Sequence, residues 1–242
     1  MSLLVVTGTG TGVGKTVVTA ALAALARDRG ASVAVVKPAQ TGVAADEPGD
    51  LADVRRLAGV ADLHELARYP DPLSPAAAAR RSSRAPLDIG TVALRVGRLH
   101  EGRRLVLVEG AGGLLVRYDE AGATVADLAR ALHAPVLVVT RPGLGTLNET
   151  ALTLEAVAHR GLQLAGLVLG SWPAHPDLAA RCNVRDLEDL VAGPLAGALP
   201  EGAGALEGAA FLHTARAGLA PALGGAFDAA DFRRRAEEET TS

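Results

Sequence analysis

The chain has 242 residues and a formal net charge of −3 with both signs interspersed, so it offers no basic footprint for nucleic acid, and 2% aromatic residues leave no platform for stacking single strands. Its 49% hydrophobic content suffices for one α/β core spanning 1–242, and no apolar run approaches the ~18 residues of a membrane span. Small molecules are the expected partners, and the absence of a basic or apolar leader before the first strand makes cytoplasm the expected location.

The first predicted element, a strand over 3–7, empties into Gly8-Thr9-Gly10-Thr11-Gly12-Val13-Gly14-Lys15-Thr16 and then into a helix over 15–29 closed by Gly30. A glycine-rich turn between strand and helix converges backbone N–H groups on phosphate; Lys15 then reaches the β/γ-phosphates and Thr16 offers its hydroxyl to Mg²⁺. Gly8 and Gly14 are separated by five residues rather than the usual four, which narrows the family. The second strand, over 32–37, runs into Lys37-Pro38-Ala39-Gln40-Thr41-Gly42. A lysine there is ordinarily solvated, but beside a phosphate loop a second cation serves phosphoryl transfer. A short helix over 50–58 begins with Asp50 and Asp53. Capping explains either, and Asp50, at the expected N-cap, is the better metal candidate. Residues 60–90 read as an ordered excursion from the sheet, followed by a helix over 91–100.

The strand over 105–109 ends in Val108-Glu109-Gly110-Ala111-Gly112-Gly113, where a carboxylate closes an apolar run and the glycines let backbone approach a ligand. That places Glu109 to hold Mg²⁺ opposite Thr16. A strand over 135–140, a helix over 146–160 closed by Gly161, and strands over 164–169 and 195–198 complete the alternation. Continuous apolar strands alternating with helices predict a doubly wound, mostly parallel sheet in three αβα layers, of phosphate-loop NTPase type. Beyond Glu201 the pattern weakens, and the charged end over 233–241 reads as a docked helix or a frayed, peripheral tail. The six histidines are scattered, Cys182 is alone, and neither a zinc site nor a nucleophile elbow is present, so the chemistry is expected to run through the triphosphate.

Together the elongated loop Gly8–Thr16, Lys37-Pro38 with Thr41-Gly42, the Glu109–Gly113 run and Gly145-Thr146-Leu147-Asn148 resemble the dethiobiotin synthetase family over most of the chain. The resemblance implies a homodimer that closes the ureido ring of 7,8-diaminononanoate with CO₂ and ATP. A carbamate forms on one amine, the γ-phosphoryl group converts it to a carbamic-phosphoric anhydride with release of NDP, and the second amine expels phosphate. It makes Lys15, Lys37 and Thr11 catalytic and puts Thr16, Asp50 and Glu109 around Mg²⁺. It places the nucleotide on Gly12, Val13, Gly14, Lys15, Thr16, Val17, Asp50, Glu109, Gly110, Ala111 and Gly112. Thr41 and Gly112 are expected at the diamine, and Gly145, Thr146, Leu147 and Asn148 at its carboxylate across the subunit interface.

Two departures stand out. Pro142-Gly143 lengthens the turn before Gly145. Where relatives place an amide to read adenine, this chain has Gly170-Ser171-Trp172, so backbone at Gly170 and Ser171, with Pro200, Glu201 and Gly202, is left to meet the base, and ATP is expected to be replaceable by other nucleoside triphosphates. Trp172 either stacks on the base or packs beneath the loop. The competing reading is a nucleotide-switch ATPase of the partition and septum-placement type. Those proteins carry a signature lysine where this loop has Gly10.

Overall fold

The computed structural model describes residues 2–241. Seven parallel strands form the main sheet in the order β4 (Leu63–Glu65), β2 (Val33–Lys37), β6 (Leu105–Glu109), β1 (Ser2–Gly8), β7 (Val136–Thr140), β8 (Leu164–Trp172) and β9 (Gly197–Pro200). The strands are apolar on both faces because both faces are covered. Val5, Val36, Val108, Val138 and Leu169 point into one core, while Val6, Val35, Leu107, Val139 and Val168 point into the other.

The second of these cores is completed by α1 (Lys15–Asp28), α2 (Asp50–Ala58) and α8 (Gly208–Gly218). The first is covered by α3 (Pro75–Arg81), α4 (Ile89–Glu101), α5 (Val125–Ala131), α6 (Thr146–His159), α7 (Leu178–Leu190) and α9 (Ala229–Thr241). Among the described residues no helix is long and apolar enough to cross a membrane.

Three details differ from the sequence reading, and a fourth decides between its two alternatives. The stretch 60–90 is not wholly outside the sheet, since β4 pairs with β2 from Val35↔Leu63 to Lys37↔Glu65; at three residues it is too short to show a period. The same pairing continues past Pro38 as the two-residue strands β3 (Gln40–Thr41) and β5 (Arg68–Tyr69). The last strand lies over 197–200 rather than 195–198, and β8 extends to Trp172, so Gly170 and Ser171 lie within a strand rather than beyond it. The end of the chain is a helix: Arg233 of α9 donates to Glu188 of α7 at 2.6 Å, and Phe232 meets the edge of Trp172 at 4.9 Å between ring centroids. Trp172 therefore packs under α9.

Candidate active site

The chemistry collects at the carboxyl ends of β2, β6 and β1, three neighbours in the sheet, where ligands settle in open parallel sheets. Gly14 opens α1 in the left-handed region at φ 95°, which a side chain would resist, and so turns the first helical N–H groups toward the loop's hollow. Lys15 Nζ donates to the Gly10 carbonyl at 2.7 Å, curling over that hollow. Burial and then the nearby Lys37 ammonium lower the Lys15 amine to about 8, a cation held where it is electrostatically uncomfortable and an anion would relieve it.

At the end of β2, Lys37 is only 3% exposed, so the strand-end lysine is not a solvated residue. Its ammonium donates to Glu109 Oε1 at 2.8 Å and to the Gly110 carbonyl at 3.3 Å, and it also pairs with the Asp50 carboxylate. Burial opposes its charge, but the two carboxylates outweigh that penalty and hold the amine protonated beyond the ordinary lysine range. For Asp50 too, burial works against ionisation and the Lys37 ammonium overrides it, leaving its carboxyl below the usual range. Glu109 is fully buried; its Oε1 also accepts the Thr16 hydroxyl at 2.8 Å, while Oε2 has no hydrogen-bond partner.

Asp50 differs from expectation in one respect: the N-cap of α2 is Gly49, and Asp50 is the first helical residue. Its N–H is met by the Gln40 side chain at 2.9 Å, and its carboxylate is engaged with Lys37 rather than with its own helix.

A cavity of about 640 Å³ joins these groups. It gathers Thr11, Gly12 and 14–17 from the phosphate loop, Lys37, Thr41, Asp50, Glu109, Ala111 and Gly112. Thr11 and Gly112 are adjacent, a Cβ on Gly112 falling 3.7 Å from the Thr11 hydroxyl. Sequence reasoning missed Gln40 and the wall formed by 72–75, which come from the proline-rich stretch and carry no ligand motif. It also missed Tyr118, whose buried hydroxyl accepts the Ala111 N–H at 2.6 Å and so shapes the glycine turn.

Other expected residues lie elsewhere. Val13 is buried beneath its loop. Gly145, Thr146, Leu147 and Asn148 do not line the cavity, and the Thr146 hydroxyl is committed to Thr140 at 2.8 Å, inside a buried cluster that includes Thr150. The Pro142-Gly143 turn is anchored from α7 by Asn183, which donates to the Pro142 carbonyl at 2.8 Å. At the base end, Gly170 has no room for any side chain, since a Cβ there would lie 1.9 Å from the Val13 carbonyl oxygen. That rules out reading Gly170 as an open position from which an amide was merely deleted. The Glu201 N–H is likewise spent on the Trp172 carbonyl at 2.7 Å. Neither Ser171 nor the residues from Pro200 to Gly202 line the cavity, but the following turn comes back to α1, a Cβ on Gly204 falling 3.3 Å from Val17.

The comparisons with known proteins give the chain's family. A family model described as an AAA domain matches residues 2–204. The chain is 68% identical over 237 residues to the ATP-dependent dethiobiotin synthetase BioD of Frankia casuarinae, covering 98% of this chain and 100% of that one. The chain belongs to the dethiobiotin synthetase family. The corresponding protein of Parafrankia sp. is 69% identical over 235 residues, covering 97% and 99% of the two chains. A ParA family ATPase from Chlorobium tepidum superposes with a TM-score of 0.52 over 98% of each chain at 14% identity, which shows a shared phosphate-loop NTPase fold and nothing further. The switch-ATPase reading is not favoured.

For a dethiobiotin synthetase, the donor set suits a hard cation. Thr16, Asp50 and Glu109 offer oxygen only, and Mg²⁺ is usually held by one or two carboxylates together with substrate phosphates. The unpartnered Glu109 Oε2 is an acceptor in need of a cation or donor. Among the described residues no group of three or more His, Cys, Asp or Glu is placed to hold a metal.

Proposed function

We propose that this chain is an ATP-dependent dethiobiotin synthetase, a ligase of biotin biosynthesis that carboxylates 7,8-diaminononanoate and closes its ureido ring at the expense of a nucleoside triphosphate. The observation that carries the reading is the convergence of Lys15, Lys37, Thr16 and Glu109 on one cavity that continues past the phosphate loop to Thr41 and Gly112. A hydrolytic switch needs room for water, whereas this hollow runs on from the phosphate loop to Thr41, Gly112 and the wall at 72–75.

In this reading the loop N–H groups of residues 12–16 cradle the phosphates and Lys15 exchanges the Gly10 carbonyl for a phosphate oxygen. Thr16, Asp50 and Glu109 would hold Mg²⁺, which would supply charge neutralisation to the triphosphate. Lys37 is the pivotal residue: its ammonium bonds the same two carboxylates that would hold the metal, so it turns toward the carbamate and the transferring phosphoryl group as they bind. Thr41, Thr11 and the Gly112 backbone position the diamine so that carbamate oxygen faces phosphorus and the second amine faces the carbamoyl carbon.

Residues 145–148 stand at the start of α6, away from this chain's cavity, and in a homodimer the same residues of a second copy would meet the substrate carboxylate. The 242 residues act as one cytoplasmic unit. The test is production of dethiobiotin from diaminononanoate, bicarbonate and Mg-ATP by the purified protein.

A further inference from the structure

Gln40 follows Lys37 by three residues and immediately precedes Thr41, and its side chain is almost wholly buried at 4% exposure. Both ends of its carboxamide are used: Oε1 accepts the Asp50 N–H at 2.9 Å, and Nε2 donates to the Thr41 carbonyl at 3.3 Å. A helix start normally finds an acceptor in its own N-cap side chain, but α2 begins at Gly49, which has none. The glycine and the glutamine fit each other, because a Cβ on Gly49 would lie 2.8 Å from Gln40 Oε1. An aspartate in the first turn of an uncapped helix turns back to the free N–H groups. Here Gln40 on β3 holds the first residue of α2 by that residue's own N–H, and the Asp50 carboxylate reaches across to Lys37.

We propose that Gln40 is a positioning residue of the phosphoryl-transfer site, capping α2 from outside so that Asp50 is presented to the metal and to Lys37. The proposal rests on the assignment of Asp50 as a metal ligand. Its consequence is that a side chain that is not itself a metal ligand controls metal affinity.

The experiment measures Mn²⁺ affinity by electron paramagnetic resonance in the presence of ADP, alongside thermal unfolding, for wild type, Gln40→Leu, Leu57→Ala and Asp50→Asn. Leu57 is buried at the far end of α2, so its truncation loosens the helix without touching Asp50. Gln40→Leu is expected to weaken Mn²⁺ binding about 10- to 100-fold, as loss of a partner behind a metal ligand does. Leu57→Ala is expected to lower the melting temperature yet keep Mn²⁺ affinity within about threefold, being distant and without shared partners. Wild-type affinity in Gln40→Leu, or an equal loss in Leu57→Ala, overturns the positioning role. Gln40→Ala makes the same comparison should the leucine variant not fold. Unchanged affinity in Asp50→Asn instead removes the ligand assignment, and the proposal with it, while the ring-closure assay judges the enzymatic reading separately.

Discussion

Lys37 concentrates more of the account than any other side chain. Its charge is buried between Asp50 and Glu109, and removing one member of a buried ion pair leaves the other uncompensated at a cost of about 3–5 kcal/mol. Lys37→Met is therefore expected to lower kcat by at least ~100-fold and also to lower Tm by roughly 6–12 °C, taking about 3 kcal/mol at the few degrees per kcal/mol typical of this chain length. Because the metal and the ammonium use the same carboxylates, millimolar Mg²⁺ without nucleotide should recover part of that Tm in Lys37→Met. It should recover none in the double variant Lys37→Met, Glu109→Gln. Calorimetry of the two variants with and without Mg²⁺ checks this. A single variant as stable as wild type would mean that the buried pair contributes nothing. The sequence marks Lys37 as a rim cation but not as a buried one, because burial arises from β6 and α2 folding over it, contacts separated by many residues along the chain.

At the scale of elements, most of the fold is legible because each strand is a continuous apolar run and each following helix has a start or stop signal. The Lys15–Asp28 and Thr146–His159 helices end one residue before the positions that precede Gly30 and Gly161, both glycines in the left-handed region. What is not legible has physical reasons. Three-residue β4 carries no period, and α9 is marked by charge rather than by an apolar face, so among the described residues Ala229, Phe232 and Ala236 commit it to the core. The contact between β8 and the phosphate loop is invisible in sequence because it is made by backbone. At Gly170 a Cβ would also meet Val139 Cγ1 at 2.6 Å, so the loop rests directly on the strand. Gly170→Ala is expected to cost about 3 kcal/mol or more through overpacking against backbone, and to weaken ATP binding by displacing Val13 and Gly14. Thermal unfolding and nucleotide titration of that variant measure both, and an unchanged Tm would contradict the close approach.

For the molecule as a whole, the sequence carries the site's chemistry in three strand-end motifs, and the parallel order that makes β2, β6 and β1 adjacent turns separated segments into one cavity. The base end is where motif reasoning weakens, since Gly170 is packed under the loop and the Glu201 N–H is taken by Trp172. Affinity then rests on triphosphate and Mg²⁺, and kcat/KM for CTP, GTP and UTP is expected within about one to two orders of magnitude of ATP. A preference for ATP of about four orders or more would show that some residue reads the base.

Ring closure is measured most directly by supplying carbon-13 bicarbonate with diaminononanoate and Mg-ATP and following products by mass spectrometry. The account predicts dethiobiotin labelled at the ureido carbon, formed in amounts equal to ADP and phosphate, with ATP turnover dependent on the diamine. ATP hydrolysis that proceeds equally without diamine and yields no labelled ring would contradict it.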